Sequence, residues 1–330
     1  MRIILHSPLD MHLHLRQGEM MQAVTPFSAG QFAGAVIMPN LVSPVDSLEK
    51  AAVYKKEILQ CGNTENFRPY MTLFFKQYSR QELIEARDSI IGIKLYPAGI
   101  TTQSEKGVTD FSAINSTLGY MEELGIPLLI HGETAGFVMD REKEFLPIYR
   151  QFAEDFPNLH IIMEHITTAD AVQLLDRYAN ISATVTLHHL MITLDDVIGG
   201  QLEPDLFCKP IAKTPKDLAA LQDAVFSGHP QIMFGSDSAP HPRHKKECCG
   251  CAAGIFSAPV ILPLLAELFE DAGKLNLLQG FISDIACTRY ALQPLEKNIT
   301  LEQKPWKIPE LYNDLKPFGA GRVLRWSQLQ

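Results

Sequence analysis

No segment of the chain is long and apolar enough to cross a membrane. The longest apolar run, residues 255–269, contains Pro259 and Pro263 and falls short of the ~20 residues that a spanning helix needs. The N-terminus also lacks a basic stretch followed by an apolar one, which is the pattern of a secretory signal. We therefore expect no membrane partner.

Clusters of lysine and arginine are missing as well. The 330 residues include 29 Lys and Arg against 38 Asp and Glu, a formal net charge of −9. An acidic chain without a basic stripe lacks the footprint of phosphate recognition, so we expect no nucleic-acid partner. Hydrophobic residues make up 46% of the chain and charged residues 20%, which is ordinary for a globular protein with a large core.

The cysteines lack the spacing of a disulfide framework or of a structural zinc site. Three of the six stand in Cys248-Cys249-Gly250-Cys251, and no second Cys-x-x-Cys accompanies them. We therefore expect reduced thiols and a cytoplasmic protein, and leave the role of residues 248–251 open.

No interdomain linker or low-complexity tract interrupts the chain, so we predict a single domain over residues 1–330. Short apolar runs alternate with segments of helical periodicity. Strands buried on both faces form continuous apolar runs, and strand–helix alternation is typical of a parallel sheet. Eight such runs favour an α/β fold of the (β/α)₈ TIM-barrel type over an open sheet. The runs are 8–14, 32–40, 67–75, 90–97, 127–133, 160–166, 181–190 and 231–240.

Helical periodicity also continues beyond the eighth run. The predicted helices are 47–59, 79–88, 111–124, 169–178, 215–226, 259–271 and 275–292. About the last 35 residues, rich in Pro, Trp and Lys, are expected to form an irregular strap. The prediction is thus a barrel with a helical and irregular C-terminal extension.

Two histidines alternate with apolar residues near the start of the chain. Successive side chains of a strand point to opposite faces, so His12 and His14 share one face and can grip one metal ion. A lone His-x-His pair is more often structural. In (β/α)₈ barrels, however, the chemistry lies at the carboxyl ends of the strands. His131, His165 and Asp237 end three other predicted strands, so we expect all five side chains to converge on a metal site.

These ligands exceed the need of one ion and divide into two sets. The sets are His12, His14 and Asp237 for one ion, and His131 with His165 for the other. Two ions ~3.5–4 Å apart need a bridge. Lys94 is the candidate, because an amine desolvated among Ile91, Ile93 and Leu95 should lose its proton easily. A neutral amine can add CO₂, and the two carbamate oxygens can span both ions. Taken alone, a strand lysine more often extends its ammonium to solvent.

Six motifs carry a family resemblance. They are Asp10-Met11-His12-Leu13-His14-Leu15-Arg16, Met38-Pro39-Asn40, Gly92-Ile93-Lys94-Leu95-Tyr96-Pro97, His131-Gly132-Glu133, Glu164-His165 and Gly235-Ser236-Asp237-Ser238-Ala239-Pro240-His241. Together they resemble the dihydroorotases of the single-function bacterial (class II) type, members of the amidohydrolase superfamily. The resemblance runs past Cys251-Ala252-Ala253-Gly254 and covers about the first four-fifths of the chain. Other amidohydrolases share the metal ligands but not the whole set of motifs.

The resemblance implies two Zn²⁺ ions per chain, with a CO₂-derived carbamate on Lys94 between them. It implies reversible cyclisation of N-carbamoyl-L-aspartate to L-dihydroorotate, a step of pyrimidine biosynthesis, so the expected partner is a small-molecule substrate. Asp237 would be a catalytic residue as well as a ligand, carrying a proton to the leaving nitrogen. The family is commonly a homodimer.

The same resemblance assigns the substrate-binding residues. Arg16, one step beyond the two histidines on the predicted strand face, would hold the substrate carboxylate with Asn40 and His241, helped by the backbone near Ala253. The hydroxyl groups at positions 101 and 102 match a mobile loop that closes over the substrate. These two residues are Thr101 and Thr102.

Two alternatives stay open. The first is another cyclic amidase, acting on dihydropyrimidines or hydantoins; those substrates lack the ring carboxylate that Arg16, Asn40 and His241 would bind. The second is a catalytically inactive scaffold homologue, which should have lost metal ligands. The roles of His188, of His189 and of about the last 50 residues are also left open, while carboxylates beside the ligand histidines are candidates to orient the imidazoles.

Overall fold

The computed structural model describes residues 1–329. Its central feature is a sheet of eight parallel strands, each beside the next one along the chain. Within residues 1–329, all strands, including those of two smaller sheets, are β1 (Arg2–His6), β2 (Leu9–Leu13), β3 (Gly34–Ile37), β4 (Arg68–Phe74), β5 (Gly92–Leu95), β6 (Leu128–Ile130), β7 (Ile161–Met163), β8 (Ile181–Val185), β9 (Ile232–Phe234), β10 (Asn298–Glu302), β11 (Trp306–Lys307), β12 (Val323–Leu324) and β13 (Ser327–Gln328). The eight parallel strands are β2 to β9, and they confirm the eight predicted strands.

The sheet closes on itself next to its first strand. The backbone N–H of Asp237, just beyond β9, donates to the carbonyl of His12 at 2.8 Å, and the N–H of His14 donates to the carbonyl of Ser238 at 3.2 Å. These bonds join the end of β2 to the segment after β9. The (β/α)₈ TIM-barrel prediction is therefore confirmed.

Helices surround the barrel. They are α1 (Gly18–Gln31), α2 (Leu48–Leu59), α3 (Arg80–Ala86), α4 (Asn115–Leu124), α5 (Arg141–Asp155), α6 (Ala169–Leu175), α7 (Leu194–Ile198), α8 (Pro215–Phe226), α9 (Arg243–Lys246), α10 (Ile261–Asp271) and α11 (Ile285–Arg289). Two long helices, α1 and α5, were not predicted. Each contains an internal proline, Pro26 or Pro147, which normally marks the end of a helix. The helix predicted at 275–292 is interrupted: a 3₁₀ turn and a π-helical turn, Gly280–Asp284, precede α11. Across residues 1–329, every helix is too short or too polar to traverse a bilayer.

Two apolar clusters divide the core. The larger one packs the outer side of the sheet against the helices and includes Ile93 and Leu95. The smaller one contains buried side chains from several barrel strands: Leu9, Met11, Val36, Met38, Leu129, Ile162 and Met233. Leu129 precedes His131 by two positions, and side chains two apart share one face of a strand. The smaller cluster therefore fills the barrel beneath the polar residues of the strand ends.

The C-terminal strap is more regular than predicted. Strand β10 pairs antiparallel with the N-terminal β1, with Ile299 opposite Leu5, and β13 pairs with β10. Trp326 between β12 and β13 is fully buried, and its indole N–H donates to Glu270 of α10 at 3.0 Å. The prediction of an irregular segment was wrong for these strands, because β10 has only five residues and the other three have two each, too few to show a clear periodic pattern. The strap ties both ends of the chain to the barrel.

Trp326→Ala should lower the free energy of unfolding by about 3–5 kcal/mol, the usual cost of removing a buried large aromatic side chain. Urea denaturation followed by circular dichroism measures this change. Val323→Ala is the matched control in the same strap, because Val323 is 60% exposed and its truncation should change stability by less than about 0.5 kcal/mol. Equal stability of the two variants would show that the strap does not support the fold.

Candidate metal centre

The six predicted metal ligands lie at one end of the barrel. His12 is in β2 and Lys94 is in β5, whereas the other four follow their strands by one to three residues. All six side chains are buried; the four that follow strands are His14, His131, His165 and Asp237. Two of the backbones turn sharply as they leave the sheet, since His165 has φ 41° and Asp237 has φ 43°. Non-glycine residues rarely adopt this left-handed conformation, and such strain concentrates at functional sites.

The first ligand set is compact. Nε2 of His12 lies 3.3 Å from Nε2 of His14, and Oδ1 of Asp237 lies 3.1 Å from Nε2 of His14 and 3.6 Å from that of His12. Burial lowers the pKa of both histidines below the ordinary value. Neutral imidazoles and a carboxylate in this arrangement are a donor set that suits zinc.

The second pair lies beside the first set. Nδ1 of His131 is 3.2 Å from Nε2 of His165, and the His165 ring centroid is 4.9 Å from that of His12. Burial also holds the pKa of His165 well below its ordinary value. The structure thus brings together all five predicted histidine and aspartate ligands in two adjoining groups.

Lys94 has no hydrogen-bond partner within residues 1–329. Its amine is buried and stands 4.9 Å from the centre of the Tyr96 ring. Burial lowers the pKa of Lys94 to about 8, although the charges of Glu164 and Asp237 act in the opposite direction. The prediction that Ile93 and Leu95 surround this amine was wrong, because both point to the helix side of the strand. An orphaned amine of this kind is well suited to add CO₂.

Two carboxylates fix the imidazoles. Oε2 of Glu164 accepts hydrogen bonds from Nδ1 of His12 at 2.7 Å and from the hydroxyl of Thr184 at 2.6 Å. Oε2 of Glu133 lies 2.7 Å from Nε2 of His131. Such outer carboxylates set the tautomer and orientation of metal-binding histidines. Glu164 therefore orients a histidine of β2, not its neighbour in the chain.

Asp10 joins the two strands that carry the first ligand set, and no role was predicted for it. Its carboxylate accepts hydrogen bonds from the backbone N–H and the hydroxyl of Ser236, and from the N–H of His12 at 3.1 Å. Burial raises the pKa of Asp10 to about 7. Asp10 and Ser236 both belong to the sequence motifs. Their contact joins the first and last strands of the barrel, so it leaves no local pattern in the sequence. The contact fixes His12 relative to Asp237.

Arg16 reaches the site by a different route from the one predicted. Strand β2 ends at Leu13, and Arg16 has φ 62°, so it does not continue the strand face. Its guanidinium donates to Nε2 of His241 at 2.9 Å, and the same nitrogen lies 3.0 Å from the Ala253 carbonyl. Burial and the nearby Arg16 charge lower the pKa of His241 to about 3, so the ring is neutral.

A cavity of about 20 Å³ lies above the first ligand set. The side-chain amide of Asn40 donates to the carbonyl of Thr102 at 3.0 Å and so contacts the loop that covers this cavity. The lining consists of His14, Arg16, Asn40, Thr101, Thr102, Lys209, Asp237, Ala239, Ala253 and Gly254. Five of the six residues predicted to bind substrate line this cavity, whereas the sixth, His241, contacts Arg16 without lining it; Lys209, which was not predicted, joins the lining.

The histidines after β8 form a separate buried group. Ligand atoms of His188, His189 and Cys208 lie within 4.8 Å of one another. Both ring nitrogens of His189 are engaged, with the hydroxyl of Thr186 at 2.9 Å and the carbonyl of Pro210 at 3.0 Å. In this arrangement His189 has no free lone pair for a metal ion. It anchors the segment that contains Lys209.

Known proteins resemble the chain over nearly its full length. No protein-family model matches it. A dihydroorotase of Helicobacter hepaticus is 48% identical over 332 residues, which cover 98% of this chain and 96% of that protein. The crystal structure of a dihydroorotase from Campylobacter jejuni has a TM-score of 0.96 and 52% identity, covering 100% of this chain and 98% of the other. A dihydroorotase from Saccharomyces cerevisiae, solved in complex with 5-fluoroorotic acid, has a TM-score of 0.93 and 36% identity, covering 99% and 98%.

Proposed function

Because the chain belongs to the dihydroorotase family, hydrolases that act on a cyclic amide, we propose that it interconverts N-carbamoyl-L-aspartate and L-dihydroorotate at a centre of two zinc ions. The observation that carries this proposal is the convergence of two adjoining groups of buried ligands beside the unpartnered amine of Lys94. The family is metal-dependent, and the donor set at the strand ends fits that chemistry.

The residues divide between the two ions as follows. His12, His14 and Asp237 would hold one ion, and His131 with His165 would hold the other. Lys94, once its amine has added CO₂, would present one carbamate oxygen to each. When bound, this centre supplies an activated water and a Lewis acid that polarises the ring carbonyl.

Asp237 carries the proton in this account. Burial raises the pKa of Asp237 above its ordinary value, so the carboxyl group accepts a proton more readily near neutral pH. In hydrolysis it takes the proton from the nucleophile and delivers it to the ring nitrogen as the amide bond breaks. In cyclisation it removes the proton from the carbamoyl nitrogen, as microscopic reversibility requires.

Asp237→Asn keeps the shape and one oxygen ligand but removes the base. We expect kcat to fall by at least ~10²-fold, as for the loss of a general base, while most of the metal remains bound. Steady-state kinetics and elemental analysis of the same preparation measure both effects. Near-normal turnover in the metal-loaded variant would show that another group moves the proton.

Three residues would bind the substrate carboxylate in this proposal. Arg16 presents a planar fork that fits a carboxylate, the Asn40 amide lines the same cavity, and the neutral His241 ring contacts the Arg16 guanidinium. A substrate analogue without the carboxylate would leave these donors unpaired. A site built to hydrogen-bond a missing group rejects such an analogue by ~10⁴–10⁵-fold.

The unmodified enzyme should therefore hydrolyse dihydroorotate well and dihydrouracil hardly at all. Arg16→Ala should reduce kcat/KM far more for dihydroorotate than for dihydrouracil, because only the first substrate loses a charge-assisted contact. Comparable kcat/KM values for both substrates in the unmodified enzyme would favour the dihydropyrimidinase alternative. Failure of the zinc-loaded protein to turn over either substrate would favour the inactive scaffold.

Four further expectations complete the proposal. Residues 99–107 form a lid, in which Thr101 and Thr102 donate hydroxyl hydrogen bonds to the bound substrate. The chain is a single domain, assembles as a homodimer and acts in the cytoplasm. These expectations rest on the family resemblance and on the cysteine pattern.

A further inference from the structure

Lys209 is a cation at the wall of the substrate cavity that the proposed mechanism does not use. The residue is half-buried and follows Cys208 in the segment that His189 anchors through the Pro210 carbonyl. Its ammonium donates to the carbonyl of Ile100 at 2.7 Å. Ile100 belongs to the lid segment, residues 99–107, so this bond connects the lid to the opposite wall of the site.

The lid is a compact turn built around Ser104. The buried Ser104 hydroxyl accepts from the N–H of Thr101 at 3.0 Å and donates to its carbonyl at 2.8 Å, while the Ser104 carbonyl accepts from the N–H groups of Gly99 and Gly107. A side chain at Gly107 would meet the Tyr96 carbonyl at 2.3 Å, so only glycine allows the turn to fold down against β5. The turn is therefore a single internally bonded unit packed against β5.

Only two side chains from outside the lid hold its carbonyl groups within residues 1–329. Asn40 donates to Thr102, and Lys209 donates to Ile100. The two bonds approach from different elements, since Asn40 follows β3 and Lys209 lies between β8 and α8. Together they fix the lid across the mouth of the barrel.

With the lid in this position no substrate can enter. A volume of about 20 Å³ has room for little more than one water molecule, far less than a ring that carries a carboxylate. The lid must therefore open, and Asn40 must exchange the Thr102 carbonyl for the substrate. Lys209 is not needed for the carboxylate, so its bond to Ile100 can form again once the lid closes over the bound molecule.

We propose that Lys209 is a positioning residue that latches the lid through the Ile100 carbonyl and sets the population of the closed state. This inference rests on the proposed function for the meaning of closure, but the latch exists without substrate. The energetic reason is that a hydrogen bond from an ammonium is among the stronger ones, and removing it favours the open lid.

The latch can be measured in the ligand-free protein by limited trypsin cleavage after Lys106, an exposed lysine inside the lid. Cleavage follows the population of the open form when opening and closing are fast. Lys209→Met keeps the length and packing of the side chain but removes the donor, and should speed cleavage at this bond about tenfold, as the loss of one charged hydrogen bond would. Mass spectrometry of the fragment that begins at Gly107 isolates this site from cleavage elsewhere.

Two controls separate the latch from other effects. Lys209→Arg retains a charged donor and should restore cleavage close to the unmodified rate. Lys55→Met removes an exposed lysine of α2 and should change nothing at Lys106. Should Lys209→Met fail to fold, Lys209→Gln tests the same bond, because its shorter side chain cannot reach Ile100 without movement of the backbone.

Kinetics with dihydroorotate complete the test. Lys209→Met should raise KM several-fold and change kcat less, because the binding of substrate must now also close the lid, and zinc content should stay the same. Unchanged cleavage at Lys106 in Lys209→Met would overturn the latch. Unchanged cleavage together with a collapse of kcat would assign Lys209 to the substrate instead. Because the cleavage assay needs no turnover, an inactive protein would contradict the proposed function and leave the latch standing.

Discussion

The amine of Lys94 lies at the mouth of the barrel with no hydrogen-bond partner in residues 1–329. Burying a polar group without a partner is costly, and burying a charged one is more so. Folding places this amine beside the ligand histidines, and burial lowers the pKa of Lys94 to about 8, so it loses its proton more easily than an ordinary lysine. Conversion of the amine to a carbamate held by two cations would remove the cost of burying an amine without a partner.

Three layers support the arrangement. The smaller apolar cluster fills the barrel beneath the ligands and keeps water away from them. Glu164 and Glu133 then hold the imidazoles of His12 and His131 by one nitrogen each, which leaves the other nitrogen free to bind an ion. Asp10 fastens the first strand to the last at the level of Asp237. Above these layers, residues 99–107 cover the cavity and are held by Asn40 and Lys209.

Sequence patterns were enough to predict the eight strands and the residues at their ends, because buried parallel strands form apolar runs and their carboxyl ends must meet. They failed for α1 and α5, whose internal prolines imitate helix ends, and for the short strands of the strap. Within the site, the contacts that were missed join distant positions: Glu164 with His12, Asp10 with Ser236 and Lys209 with Ile100 are separated by 152, 226 and 109 positions. No local periodicity records such pairs. The prediction that Arg16 continues the strand face was also wrong. Strand β2 ends at Leu13 and Arg16 has a left-handed backbone, whereas the alternation of polar and apolar residues indicates a longer strand.

We propose that Lys94 is carboxylated and bridges two zinc ions. The most direct test is carbon-13 NMR of protein reconstituted with zinc and labelled bicarbonate, together with elemental analysis of the same active sample. We expect one carbamate carbon and two zinc ions per chain, and the loss of the carbon signal in Lys94→Ala. A fully active, zinc-loaded enzyme with no carbamate signal, its lysine still an unmodified amine, would contradict it.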